Sequence, residues 1–164
     1  MLEIGSGVGY FHQLLLEQGA GSAVGVDLAP RTIEQARQRA HERKLGQRTR
    51  YVQGDFVTLD HELAPTDITI LDKVVCCYPD GAALVHKSLA LTRRVYALTY
   101  PRAVWYALAG EQAGRVLMWL VRSDFRAYVH DPAAVESWIT AQGFRKRFDA
   151  QTPIWLTQVY EKIA

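Results

Sequence analysis

Three glycines at alternate positions, Gly5, Gly7 and Gly9, follow directly on a short apolar run, and an acid, Glu3, stands inside that run. Glycines in such a turn let the backbone take conformations barred to other residues and let a ligand come close to the main chain. The helix expected behind them points its positive end at whatever is bound there. Two further acids, Asp27 and Asp55, close the next two apolar runs, in AVGVD and YVQGD. A carboxylate brings two acceptor oxygens and makes stronger hydrogen bonds than a neutral group does. Glycines after one strand, an acid after the second and an acid after the third all fall on the carboxyl edge of an open α/β sheet, where such sheets bind ligands.

The elements that must position these residues follow from the pattern of the chain. Apolar runs alternate with helical patterns from the first residue, the signature of βαβ units in a mostly parallel sheet. Strands are expected at Met1 to Gly5, Ala23 to Leu28, Thr49 to Gly54, Asp67 to Leu71 and Val95 to Tyr100. A helix is expected from Gly9 to Gln18, with Phe11, Leu14 and Leu15 at helical spacing. A second begins at Pro30 and runs through Ile33, Ala36 and Ala40, and a third covers Ala82 to Thr92. The segment 102–128 reads as a helical insertion rich in Trp and Leu. Asp131 and Pro132 form an N-cap and first-turn proline for a helix that Gly143 ends. Arg145 to Ala150 and Ile154 to Tyr160 then close the chain as a hairpin.

Bulk properties narrow the function classes. The chain has 164 residues, 49% of them hydrophobic, which suits one domain spanning 1–164. A net charge of +2 is too balanced to imply a nucleic-acid partner. The two cysteines, Cys76 and Cys77, offer neither a disulfide framework nor zinc-ligand spacing, so a reducing cytoplasm is expected and no metal. The most apolar stretch, Val116 to Val121, is too short to span a bilayer.

The glycine loop departs from the dinucleotide fingerprint, which would need glycine or alanine where Tyr10 stands. An NAD-linked reductase is disfavoured on that ground and by the absence of a Tyr-x-x-x-Lys pair. The run LEIGSGVGYFHQLLLEQGAGSAVGVDLAP instead resembles the first motif of class I S-adenosylmethionine-dependent methyltransferases, and VQGDF resembles a later one. The resemblance implies a Rossmann-like, doubly wound, seven-stranded sheet with an antiparallel C-terminal hairpin, and S-adenosylmethionine as cofactor. Carried over residue by residue, it implies that Gly5, Ser6, Gly7 and Gly9 meet the methionine part, with Glu3 orienting the loop or the amino group. Asp27, beside Leu28, would accept both ribose hydroxyls, and Asp55 would hold the adenine amine with Phe56 against the ring. Family members usually carry helices before the first strand, and the chain looks cut short at its front.

The fourth strand ends in LDKVVCCYPD, where relatives place the transferring methyl group. This segment lacks the Asn or Asp, Pro, Pro, aromatic pattern of many amine methylators, which favours O- or C-methylation. Transfer from a sulfonium depends chiefly on alignment. Should the acceptor need a base, the candidates are His130, Tyr78 and Asp72, with packing or capping weighed ahead of catalysis for His130. Cys76 and Cys77 read as small apolar fillers, and His12, His41, His61 and His86 as surface or packing residues. Trp105, Tyr106, Trp119, Phe125 and Tyr128, interleaved with Arg102, Arg115, Arg122 and Arg126, read as core first and as a substrate cover second. The expected partner is a small apolar or aromatic methyl acceptor. The segments around CCYP and YVHDP carry a likeness to magnesium protoporphyrin O-methyltransferases. A cofactor-binding module without turnover is the competing reading.

Overall fold

The computed structural model describes residues 1–59, 63–106, 109, 110, 112, 114, 119, 122 and 128–163. Strands β1 (Leu2–Ile4), β2 (Ala23–Asp27), β3 (Thr49–Gln53), β4 (Thr66–Asp72), β5 (Thr92–Pro101), β6 (Phe144–Gln151) and β7 (Trp155–Lys162) form one sheet in the order β3-β2-β1-β4-β5-β7-β6. The first five run parallel, and β7 lies antiparallel between β5 and β6. Helices α1 (Tyr10–Glu17), α2 (Pro30–Glu42), α3 (Gly81–Ala90) and α4 (Pro132–Thr140) connect them. This is the expected α/β single-domain architecture. The order reverses at β1, so the loops after β1, β2 and β4 open onto one crevice, the usual ligand position in such sheets.

Local chemistry sets the boundaries. Pro30 is a first-turn proline of α2, and Asp131 caps α4 by accepting from the Ala133 N–H at 3.0 Å. β5 starts three residues before Val95, and α3 stops at Ala90, short of the expected Thr92. The cause is Thr92, which pairs with Thr66 across the sheet and donates to Thr69 Oγ1 at 2.7 Å. Gly5, with φ +65°, already belongs to the turn rather than to β1.

The main core joins Leu71, Leu84, Leu98, Val135 and Ile139 around three fully buried tyrosines, Tyr96, Tyr100 and Tyr160. Each phenol has a partner: Tyr96 meets Ser88 Oγ at 2.7 Å, while Tyr100 and Tyr160 both donate to Gln158 Oε1 at 2.8 and 3.0 Å. A smaller core of Leu16, Ile33, Ala36, Ala40 and Tyr51 lies under α1 and α2.

α1 faces the sheet differently from its apolar spacing. Phe11 and Leu14 are 42% and 39% exposed, whereas His12 and Gln13 are fully buried. The helix turns this way because Glu3 and Tyr51 wait beneath it as partners for His12. The expected insertion over 102–128 lies largely outside the described residues, with Phe125, Arg115 and Arg126, and so does His61; Trp105 and Tyr106 are helical. Among the described residues, no helix is long and apolar enough to cross a membrane.

Candidate functional site

The turn after β1 is left-handed at Gly5, Gly7 and Gly9, with φ of +65°, +51° and +74°. A side chain in that region costs roughly 1–2 kcal/mol per residue, so the backbone geometry favours glycine. Gly5 is also needed for space, because a Cβ there would collide with the Val74 side chain. The turn is anchored on both sides. Ser6 N–H donates to Val26 O at 3.0 Å, and Gly7 N–H donates to Asp27 Oδ2 at 2.7 Å.

Asp27, at the end of β2, therefore holds the loop with one oxygen. Its other oxygen accepts from the Ala29 N–H at 2.9 Å and the Thr32 hydroxyl at 3.1 Å. Asp55 follows β3. Its Oδ1 accepts from the Val57 N–H at 2.9 Å, and the Tyr78 hydroxyl lies 3.1 and 3.0 Å from its two oxygens. Burial, and then the bond to Asp55, push the Tyr78 phenol up to about 12. It holds its proton at neutral pH, the opposite of what a base requires.

These groups surround a cavity of about 250 Å³. Gly5, Asp27, Leu28, Asp55 and Phe56 line one part of it, and Asp72, Lys73, Val74, Cys77 and Tyr78 line the other. Apolar contributions from Ile4, Val26 and Leu84 complete the wall. Of the residues singled out in the sequence, Glu3, Ser6, Gly7, Gly9 and His130 do not line this cavity. Glu3 is buried under the glycine turn, accepts the His12 N–H at 3.2 Å and pairs with His12 Nδ1. On the far side of the ring, His12 Nε2 meets the Tyr51 hydroxyl at 2.8 Å, and Gln13 Nε2 donates to that oxygen at 2.9 Å. Glu3 thus locks the start of α1 to β3 beneath the site. The Ser6 hydroxyl is buried and unpartnered.

His130 packs behind the turn that follows β4. Its Nε2 lies 3.0 and 3.1 Å from the carbonyls of Val75 and Tyr78, an arrangement that suits an Nε2–H donor. Its ring stands 6.3 Å from Tyr128 and 6.4 Å from Trp138. The nitrogen facing the turn is occupied, which weighs against a base and for a brace. Asp72 alone of the three base candidates lines the cavity with a carboxylate, 4.0 Å from Lys73 Nζ.

Sequence reasoning missed Lys73 and the buried role of His12, and it undervalued Cys77. Lys73 is left-handed at φ +59°, its N–H donates to Thr99 O at 2.9 Å, and its ammonium stands 5.3 Å from the centre of the Trp155 ring. Lys44 and Arg122 share this left-handed backbone, but of the three Lys73 is the one that lines the cavity. Cys77 is exposed to the cavity, and its hydrogen bond with Cys76 lowers its thiol to about 7 while pushing Cys76 up.

Comparison with known proteins fits this geometry. No curated protein sequence matches the chain. Magnesium protoporphyrin IX methyltransferase from Synechocystis, solved with bound SAH, has a TM-score of 0.81 at 20% identity, covering 99% of this chain and 73% of that one. An S-adenosylmethionine dependent methyltransferase from Mesorhizobium loti gives 0.80 at 15% identity over 98% of this chain and 89% of that one. The [4+2]-cyclase SpnF gives 0.73 at 10% identity, with 98% and 74% covered. At these identities the likeness is one of fold. The model of the family described as "Methyltransferase domain" matches residues 1–95, more than half of the sequence. The chain belongs to that family, the S-adenosylmethionine-dependent methyltransferases.

Proposed function

We propose that the chain methylates a small apolar or aromatic acceptor at oxygen or carbon. The observation that carries this reading is one cavity with two chemically different parts. One part has carboxylates and glycine backbone suited to a nucleoside and an amino acid. The other has Asp72, Lys73 and Cys77 at the end of β4.

The residues fit the cofactor. Asp27 and Asp55 line a crevice with apolar walls, and Phe56 lines it beside Asp55. When bound, S-adenosylmethionine supplies a methyl group on a positively charged sulfur, ready for in-line transfer. Asp27 would hold the ribose hydroxyls with oxygens already oriented by Gly7, Ala29 and Thr32. Asp55 would take the adenine amine, with Tyr78 fixing its plane. Such pre-oriented groups lower the ordering cost of binding. If the acceptor is a hydroxyl or an acidic carbon, Asp72 is the group placed to take its proton.

An aromatic acceptor is supported by the rim. The Trp155 ring lies 5.3 Å from the ammonium of Lys73, a residue that lines the cavity. Two unpaired thiols suit a reducing cytoplasm.

Calorimetric titration with S-adenosylhomocysteine and with NAD tests the cofactor. Turnover of S-adenosylmethionine with a panel of phenols, carboxylates and amines then tests the acceptor. Methylation of a phenol or a carboxylate supports the proposal; methylation of amines alone, or binding without turnover on any of them, overturns it.

A further inference from the structure

Cys76 and Cys77 occupy the short 3-10 turn Val75–Cys77 that follows β4. Adjacent cysteines in an extended strand would point to opposite sides, but here the two sulfurs converge. They lie 3.8 Å apart, and both approach the same carbonyl, Lys73 O, at 3.3 Å from Cys76 and 3.6 Å from Cys77. Cys77 lines the cavity while Cys76 lies buried just behind it. The turn is braced on both flanks: Tyr128 N–H donates to Cys76 O at 2.7 Å, and the His130 ring meets Val75 O at 3.0 Å.

A disulfide is the less natural product of this pair. Neighbouring Cα atoms are about 3.8 Å apart across a trans peptide, below the roughly 4.4–6.8 Å that ordinary disulfides span. A single bridging atom is easier. Two sulfurs each about 2.3 Å from one tetrahedral centre stand about 3.8 Å apart; a pyramidal trivalent centre has a narrower angle between its bonds and needs them somewhat closer than the 3.8 Å found here, an approach that rotation of the two side chains supplies. Among the described residues, no cluster of three or more His, Cys, Asp and Glu side chains could hold a metal ion. Zinc would ask for four ligands, so the occupant must be satisfied with two protein sulfurs.

We infer that Cys76 and Cys77 form a bidentate site, opening on the cavity, for a trivalent arsenical or an equally soft centre that needs only two thiolates. With an organic arsenoxide the step is a condensation without change of oxidation state. Two As–S bonds form, both bonds from arsenic to oxygen break, and the two thiol protons leave with that oxygen as water. The organic group then projects from Cys77 into the crevice beside Asp72 and Lys73, where it competes with whatever the crevice binds.

The test uses the whole chain and phenylarsine oxide. Its only two cysteines are this pair, so a thiol count reads the site directly. The expected result is one adduct per chain by intact mass, loss of both titratable thiols, release by a dithiol but not by the same concentration of monothiol, and weaker S-adenosylhomocysteine binding. Cys76→Ser and Cys77→Ser should each lower probe affinity by about a hundredfold, the chelate advantage of an intramolecular second ligand. Consumption of one thiol only, two adducts per chain, or undiminished affinity in Cys76→Ser would overturn the inference. The adduct count on the unaltered protein decides even if a variant fails to fold.

Discussion

The crevice has two sides, and they are built on opposite plans. On the side of β1 to β3, the polar groups are already bonded inward: Asp27 to Gly7, Ala29 and Thr32, and Glu3 to His12. On the side of β4 and β5, the reactive groups face outward, with Lys73 and Cys77 at the rim and the turn behind them held by His130 and Tyr128. A first side bonded inward suits a ligand that never changes, and a second side that turns a carboxylate, an ammonium and a thiol toward the cavity suits an acceptor that differs between relatives. At the cavity Tyr78 to Asp55 and Val74 against Gly5 join the two, above the pairing of β1 with β4.

Removing the deepest bond of the inward-bonded side should have the largest effect. Glu3→Ala leaves His12 buried without its partner and should cost about 3–5 kcal/mol, as when one member of a buried pair is lost; urea unfolding measures it, and a loss below 1 kcal/mol would show that the network is not structural. Gly5→Ala combines a left-handed backbone with a clash against Val74 and should cost about 2–4 kcal/mol. Gly7→Ala has open space at its Cβ and should cost only the backbone share. Equal losses would mean that Val74 yields and that the two sides are not in hard contact.

Asp27→Ala acts on binding and on the loop together. Loss of its charge-assisted bonds should weaken S-adenosylhomocysteine by about 1.5–3 kcal/mol, roughly tenfold to a hundredfold in affinity. Tyr78→Phe should be milder, about 0.5–1.5 kcal/mol in stability. Its pH signature is specific. The folded phenol is raised from 10.0 to about 12, so its contribution is complete below pH 10 and disappears as pH rises through about 12. The stability difference between wild type and Tyr78→Phe should therefore shrink across that interval; a difference constant with pH would disconnect Tyr78 from Asp55.

How much of this was readable in the sequence divides along the same line. The glycine turn, Asp27 and Asp55 were legible because each follows an apolar run, and strand ends are where an α/β sheet places its ligands. The seven strands and the closing hairpin were legible for a similar reason. The facing of α1 was not, since burying His12 and Gln13 in place of Phe11 and Leu14 depends on Glu3 and Tyr51, residues distant in the chain. Nor was the β4 rim. Nothing in the type of Lys73 announces a left-handed backbone, and nothing in Cys76 and Cys77 announces sulfurs on one side of a turn. His130 was legible as a packing residue next to a helix start, but its two carbonyl partners were not.

One consequence lies far from the crevice, at the margin of the sheet. β6 is the outermost strand, its register with β7 slips between Lys146 and Phe148, and most of its side chains are exposed. Arg145, Lys146, Arg147 and Asp149 crowd it with charge. Its free row of amides and carbonyls is thereby a poor template for a foreign strand, because an approaching chain would meet cations and an irregular ladder. The closing hairpin thus guards this edge of the sheet against pairing with a second copy.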